Sequence, residues 1–178
     1  AVAHFSERLG FYTRVILYSE MLKCLFNEMH ALVRAEQVIA YHDISDGGLF
    51  TTVTEMAFAG HTGVDIDITK LSTGAEDDLA TLFNEELGGV IQICESDVDA
   101  IHAVFAEHGV LDCCTDIGHL NNEDTIRFTR DGEVVLENSR TYYRTVWAQT
   151  TYRMQSLRDN PECAQQEHDV KLDTEDPG

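Results

Sequence analysis

The chain has 178 residues, 43% of them hydrophobic, and a formal net charge of −20 from 32 acidic and 12 basic side chains. This length and apolar content suit one globular domain, with or without an appendage, and the acidity argues against binding nucleic acid through its phosphates. No stretch approaches the roughly 18 uncharged apolar residues of a membrane span, and the five cysteines include no Cys-x-x-Cys pair. We therefore expect a soluble, cytoplasmic protein with reduced thiols and with neither nucleic acid nor membrane as a partner.

The first two thirds of the chain alternate predicted helices and strands. Apolar residues recur at helical spacing in four segments, two of which end at Gly60 and Gly109. Val64, Ile66 and Ile68 alternate with aspartates, which predicts a half-exposed strand. In chain order, the predicted elements are a helix over residues 20–37, a buried strand over 38–41, a helix over 49–60, a strand over 64–68, a helix over 76–83, a strand over 90–94 and a helix over 98–108.

The last third changes to short strands followed by a long helix. The strands predicted here cover residues 111–117, 125–129 and 133–137, with a hairpin turn at residues 130–132. Ser139 begins a helix that runs towards Leu157 and is broken at Pro161. The polar, acidic tail from Gln165 to Gly178 is interpreted as a mobile segment or a linker. The order of elements predicts an α/β to α+β fold, with helices packed on a mixed sheet.

One motif, HDISDGGL at residues 42–49, stands between a predicted strand and a predicted helix. A polar loop in that position directs backbone N–H groups and short acceptor side chains into one space, which suits a phosphate and its cation. Gly47 and Gly48 allow the backbone to approach a ligand closely. The same residues also suit an ordinary turn in which Ser45 or Asp46 caps the helix, and the residues alone leave both interpretations open.

Other residues that could carry chemistry have structural interpretations too. His42 could act as a general base, but a packed or hydrogen-bonded histidine at a strand end is the favoured interpretation. Cys163 lacks the strand-turn-helix setting of an exposed nucleophile, and we interpret it as a packed thiol. A loose group of possible metal ligands, whose spacing fits no zinc pattern, consists of His102, His108, Cys113, Cys114 and His119.

Three stretches resemble a known family. HDISDGGL and its continuation TEMAFAGHTG at residues 54–63 are similar to the C-terminal domain of the aminoimidazole ribonucleotide synthetase superfamily. LFNEELGGVIQ at 82–92 and WAQTTYRMQSLRDNPECA at 147–164 resemble the large form of formylglycinamide ribonucleotide amidotransferase, also called phosphoribosylformylglycinamidine synthase. In that family the last stretch connects the second synthetase half to a glutaminase domain. The match runs from about Leu25 onward, and the first 20 residues resemble nothing we can place.

The resemblance implies roles for individual residues. It makes Asp43 a magnesium ligand and Ser45 a contact to a bound nucleotide, ATP or ADP, and it assigns no catalytic residue to this stretch. Gly47 and Gly48 are added as nucleotide contacts from their chemistry, and Asp46 is favoured as the helix cap. The resemblance also divides the chain into an unmatched head (1–20), a synthetase C-terminal-like domain (21–140) and a long helix with an acidic linker towards a glutaminase domain (141–178).

The function that the resemblance implies is that of a fragment of a purine-biosynthesis ligase. The family converts formylglycinamide ribonucleotide to formylglycinamidine ribonucleotide with ATP and with ammonia released from glutamine. This piece would hold nucleotide and magnesium without performing the chemistry, and its partners would be the remaining synthetase and glutaminase domains. One alternative is a stand-alone, non-catalytic module that docks onto a separate synthetase. Another is a relative such as selenophosphate synthetase or thiamine-monophosphate kinase, against which the linker stretch argues.

Overall fold

The computed structural model describes residues 7–10, 19–71 and 78–173, with side chains from residue 22 onward. Within these residues, seven strands form one sheet with helices on both faces. The strands are β1 (Glu7–Gly10), β2 (Ala40–Asp43), β3 (Gly63–Asp67), β4 (Gly89–Cys94), β5 (Asp116–Asn121), β6 (Thr125–Arg130) and β7 (Glu133–Ser139). The helices are α1 (Ser19–Arg34), α2 (Gly48–Gly60), α3 (Asp78–Phe83), α4 (Val98–Glu107), α5 (Arg140–Arg158) and α6 (Pro161–Leu172). No helix in the described ranges has both the length and the apolar character needed to cross a membrane.

The sheet is mixed, with the strand order β2-β4-β1-β5-β3-β6-β7. Neighbouring strands are antiparallel except β3 and β6, which pair in parallel with Val64 opposite Ile126. Strand β1 lies between β4 and β5, so the predicted head contributes a strand to the middle of the sheet. The division at residue 20 remains a prediction, but the synthetase-like sheet includes residues from both sides of it.

Two hydrophobic cores lie on opposite faces of the sheet. One packs α2 against β3 and β6 and includes Leu49, Ile66 and Phe128. The other packs α1 and α4 against β4 and includes Leu32, Ile91, Ile93, Ile101, Phe105 and Val110. Strand β4 serves both cores, because Val90 belongs to the first and Ile91 to the second, as alternation along a strand requires. The predicted fold of helices on a mixed sheet is confirmed.

Two predicted strands differ from those observed. β2 runs over Ala40–Asp43 and lies at one edge of the sheet, so Tyr41 is exposed where a buried strand was expected. The segment predicted as a strand over 111–117 begins as a short 3-10 helix, Leu111–Cys113, because backbone bonds such as that from the Cys113 amide to the Val110 carbonyl turn the chain. The predicted hairpin is confirmed: Asp131 and Gly132 both have positive φ, as a tight two-residue turn requires.

The predicted long helix is confirmed as α5, and the tail from Gln165, which was interpreted as a mobile segment or a linker, is helical as far as Leu172. Ser139 caps α5 by accepting a bond from the Tyr142 amide (3.1 Å). The Asp-Asn-Pro break also begins a new helix, because Asn160 accepts bonds from two amides and Pro161 occupies the first turn of α6. α6 packs against α5, with the rings of Tyr152 and His168 4.3 Å apart. Residues 174–178 of the predicted tail lie outside the described residues.

Candidate functional site

The motif at residues 42–49 forms the predicted strand, loop and helix start. β2 ends at Asp43 and α2 begins at Gly48. Between them, Ile44 is buried and its amide donates to the Gly88 carbonyl (2.9 Å), which fixes the loop to the start of β4. Ser45 and Asp46 are exposed to solvent. The loop therefore has an apolar anchor and a polar outer edge.

The loop forms a tight turn, closed by the bond from the Gly48 amide to the Ser45 carbonyl, but the predicted side-chain cap by Ser45 or Asp46 is not observed. The N-cap position of α2 is Gly47, with a φ of +84°, and no side chain makes a capping hydrogen bond there. Asp46, which was favoured as the cap, and Ser45 both precede the cap position, because two successive glycines with positive φ complete the turn. Helix capping therefore does not account for the polar side chains of this loop.

Contacts within the protein leave no room for a side chain at Gly47 or Gly48. A Cβ atom on Gly48 would lie 2.8 Å from the carbonyl oxygens of Leu82 and Asn84, at the end of α3. A Cβ atom on Gly47 would lie 2.1 Å from the Thr51 hydroxyl oxygen. The loop backbone thus lies close to the end of α3, and the close approach to a ligand that the glycines predict stays a prediction.

The amides of Gly47 and Gly48 already have acceptors. The Gly47 amide donates to the Glu85 carboxylate (3.1 Å), and the Gly48 amide donates to the Ser45 carbonyl (3.0 Å). A carboxylate at a helix N-terminus is favoured by the helix dipole. The Glu85 carboxylate thus occupies the position from which a ligand phosphate would accept a hydrogen bond from the Gly47 amide. A phosphate that binds there would have to displace this carboxylate.

Asp43 is the best available cation ligand in the loop. Its side chain is 71% exposed, and within the described residues its carboxylate accepts no hydrogen bond, the nearest cationic group being the His42 ring at 3.7 Å. Mg²⁺ usually takes one or two carboxylates and completes its shell with phosphates and water. The described residues contain no group of three or more acidic, histidine or cysteine side chains that could hold a metal alone. Asp43 therefore fits as one ligand of a magnesium ion that a phosphate also binds.

His42 is held between two acceptors. Its Nδ1 lies 2.7 Å from the Asp43 carbonyl oxygen, and its Nε2 lies 3.0 Å from the Glu55 carboxylate. Both ring nitrogens thus lie within hydrogen-bond distance of acceptors inside the protein. The geometry therefore supports the structural interpretation of His42 over a general base.

Glu55 and Trp147 belong to this site and were missed from the sequence. The Glu55 carboxylate accepts from the His42 ring and, through its other oxygen (2.8 Å), from the indole N–H of Trp147. Glu55 is about two turns into α2, and Trp147 lies 92 positions further along the chain in α5. Both residues lie in stretches that carry the family resemblance. Nothing else in the sequence indicated that their side chains form a hydrogen bond.

The other candidate residues do not assemble around this loop. His108 bonds the Val104 carbonyl (3.0 Å) on its own helix, and His119 lies 3.9 Å from Asp65. Burial, and secondarily the neighbouring Cys113, raises the pKa of the Cys114 thiol to about 12. Cys163, which was predicted to be packed, is exposed on the first turn of α6.

An apolar groove of about 530 Å³ opens beside the loop, with Asp43 on its wall. Its floor includes Phe105, which is fully buried. Its rim is unusually exposed for large hydrophobic side chains: Phe26 is 61%, Leu87 61% and Tyr41 53% accessible. Exposed apolar surface of this kind marks a binding or docking surface.

The chain was compared with known proteins. It matches the family model described as AIR synthase related protein, C-terminal domain, over residues 8–131. It is similar to T. maritima PurL complexed with ATP, at 13% identity and a TM-score of 0.66, over 77% of this chain and 25% of that one. The likeness to PurLQS from Thermotoga maritima is comparable, at 12% identity, a TM-score of 0.67, and 77% and 26% coverage.

A second kind of enzyme shares the fold. Hydrogenase maturation protein HypE in complex with ATP matches at 14% identity and a TM-score of 0.58, over 77% of this chain and 51% of that one. At such identities these likenesses show the fold alone. The chain spans about a quarter of the length of the PurL chains. Because the family model covers more than half of the sequence and the observed fold agrees with it, the chain belongs to the AIR synthase related family, of which it carries the C-terminal domain.

Proposed function

We propose that this chain is the C-terminal domain of the second synthetase half of a phosphoribosylformylglycinamidine synthase, followed by the linker towards a glutaminase domain. In this proposal the parent enzyme is a cytoplasmic ligase that uses ATP and glutamine in purine biosynthesis. The domain holds a nucleotide, ATP or ADP, together with Mg²⁺, and contributes no catalytic residue. Asp43 provides a magnesium ligand, Ser45 contacts the nucleotide, and Gly47 and Gly48 form the turn beneath it.

The observation that carries the proposal is the exposed, unbonded carboxylate of Asp43 at the start of the loop. Ser45 and Asp46 are exposed beside it and cap nothing. PurL and HypE, which share the fold, have been determined as complexes with ATP. Together these features support a nucleotide–magnesium site at this loop rather than a turn that merely begins a helix.

The apolar groove supports the proposed partners. A single carboxylate is a weak magnesium site, so further ligands would come from another part of the enzyme. The groove adjoins Asp43, and its exposed rim is the kind of surface that another domain buries. We therefore propose that the preceding synthetase domain docks over this groove and completes the nucleotide site from that side.

The proposal is tested by equilibrium dialysis of the parent enzyme, in which the preceding synthetase domain completes the site, against ADP with and without Mg²⁺. We expect ADP to bind with a magnesium-dependent affinity and the chain alone to form no formylglycinamidine ribonucleotide from ATP and glutamine or ammonia. Absence of any magnesium-dependent ADP binding would contradict the proposed site. Turnover above background by the chain alone would contradict the assignment of a non-catalytic role.

A second candidate function is a stand-alone module that docks onto a separate synthetase subunit. The exposed rim of the groove favours it as much as it favours an intact parent enzyme. The sequence of the DNA on both sides of the coding region distinguishes the two candidate functions. A synthetase domain upstream and a glutaminase downstream in one reading frame are expected from the first proposal, whereas a stop codon directly after Gly178 would support the module.

A further inference from the structure

Glu55 connects two parts of the protein that are far apart in the chain. One of its carboxylate oxygens lies 3.0 Å from Nε2 of His42, at the end of β2, and the other accepts from the indole N–H of Trp147, in α5, at 2.8 Å. The side chain of Glu55 is 30% exposed and that of His42 is 27% exposed, so both bonds are partly shielded from water. One carboxylate therefore joins the edge of the sheet to the long helix.

The connection continues from His42 to Asp43. Nδ1 of His42 donates to the Asp43 carbonyl oxygen (2.7 Å) and lies 3.7 Å from Oδ1 of the same residue. The His42 ring therefore lies against both the backbone carbonyl and the carboxylate of Asp43. Glu55 holds this ring from its other nitrogen.

The other end of the connection is anchored by aromatic packing. The Trp147 ring lies 6.1 Å from the ring of Phe58, and the Arg144 guanidinium lies over both rings, at 4.9 Å and 5.1 Å. Such cation–π and edge contacts hold an indole in one orientation. Its N–H therefore offers Glu55 a fixed donor.

We propose that Glu55 is a positioning residue that, through His42, orients the Asp43 carboxylate towards the magnesium ion of the bound nucleotide. Because Glu55 also bonds Trp147, this orientation depends on the position of α5. This inference rests on the proposed function, in which Asp43 is a magnesium ligand. It assigns Glu55 and Trp147 a role that the family resemblance does not supply. A shift in the position of the linker helix α5 would affect the loop through three hydrogen bonds, which join Trp147 to Glu55, Glu55 to His42 and His42 to Asp43.

A merely structural role for Glu55 makes a different prediction. α5 is also held at its start by Arg140, which is buried and paired with Asp124 at 2.5 Å, and by Tyr143, whose ring lies 5.3 Å from that of Phe50. Loss of the Glu55 bonds should therefore leave α5 docked. If Glu55 only stabilised the fold, its loss would weaken all ligand binding equally, whether or not the ligand carries a metal.

The test compares Glu55→Gln and Glu55→Ala with Glu133→Gln, a control on the exposed end of β7. Binding of MgADP and of metal-free ADP is measured by equilibrium dialysis of the parent enzyme that carries each variant. We expect Glu55→Gln to weaken MgADP binding about threefold to tenfold, the range for one typical hydrogen bond, and Glu55→Ala to weaken it further. Binding of metal-free ADP should stay unchanged in both.

Trp147 is the single tryptophan of the chain and provides a second readout. Its fluorescence should change when MgADP is added to the wild type, and this change should be lost in Glu55→Ala. If Glu55→Ala fails to fold, Glu55→Gln and Trp147→Phe still test the binding difference. Wild-type affinity for MgADP in the Glu55 variants, or equal weakening with and without Mg²⁺, would overturn the inference alone. Absence of nucleotide binding by the wild type would overturn the proposed function, and the inference with it.

Discussion

Two surfaces meet at Asp43, and they are built in opposite ways. The loop on one side is polar and tied down: its turn is packed against α3, the Gly47 amide bonds Glu85, and the His42 ring is held at both nitrogens. The groove on the other side is apolar and open, with Phe26 at its rim. A small charged ligand needs a few polar atoms aimed in advance, whereas a protein partner needs apolar area. In the proposed function, the loop therefore holds the nucleotide and the groove receives the partner domain.

Among the substitutions considered, we expect the largest change in the free energy of unfolding from one that distinguishes the floor of the groove from its rim. Phe105→Ala should lower the free energy of unfolding by about 3–5 kcal/mol, because Phe105 is fully buried. Phe26→Ala should change the unfolding free energy by less than about 0.5 kcal/mol, because Phe26 is 61% exposed. Urea denaturation measures both. Equal losses for the two variants would show that the rim belongs to the core of this domain and is not a surface kept open for a partner.

The rigidity of the loop is tested at Gly48. Gly48→Ala should lower the free energy of unfolding by about 3 kcal/mol, because the positive-φ backbone becomes strained and the new Cβ meets the carbonyls at the end of α3. Gly109→Ala is the matched control: its φ of +69° is similar, but no atom lies within 4 Å of the added Cβ. The control should lose only about 1–2 kcal/mol. Equal losses would mean that the close contact with α3 contributes nothing to loop stability.

The core beneath the groove should protect its thiols. Burial raises the pKa of Cys114 from 9.0 to about 12, so its reactive thiolate is scarce at pH 8, whereas Cys163 is exposed. Iodoacetamide at pH 8, followed by mass spectrometry, should modify Cys163 well before Cys114. Since the pKa is raised in the folded state, the unfolded chain loses the proton first. The contribution of Cys114 to stability is therefore complete below pH 9 and declines as the pH rises towards 12. Alkylation of Cys114 as fast as Cys163 would show that this core opens readily.

Local patterns predicted much of the fold and the position of the loop. The alternation of Val64 and Ile66, the Asp-Gly turn of the β6–β7 hairpin and the Ser139 cap all act within a few residues, and each appears as expected. Features that depend on distant parts of the chain were not predictable in this way. The exposure of Tyr41 depends on the strand order, and the absence of a side-chain cap depends on the approach of Gly48 to α3.

The candidate site shows the same limit. Asp43 and Ser45 were identified because they stand in one short motif, and they are exposed as a ligand site requires. Glu55 and Trp147 could not be joined to the site, because the hydrogen bond between them spans 92 positions. The helix α6 was missed for a different reason: its polar sequence has no apolar periodicity, and it is held by an Asn160 cap and by contacts with α5.

The central claim is that Asp43 holds a magnesium-bound nucleotide, and the most direct test is the shift of the thermal midpoint by MgADP. At about one hundred times the dissociation constant, the ligand should stabilise the wild type by about 2.7 kcal/mol. Asp43→Asn keeps the size and one acceptor oxygen but removes the negative charge, so most of this gain should be lost. Ser45→Ala should lose about 0.5–1.5 kcal/mol of it, as expected for one hydrogen bond. Asp46→Asn, the neighbouring exposed carboxylate, should retain the full shift, and a full shift in Asp43→Asn as well would contradict the account.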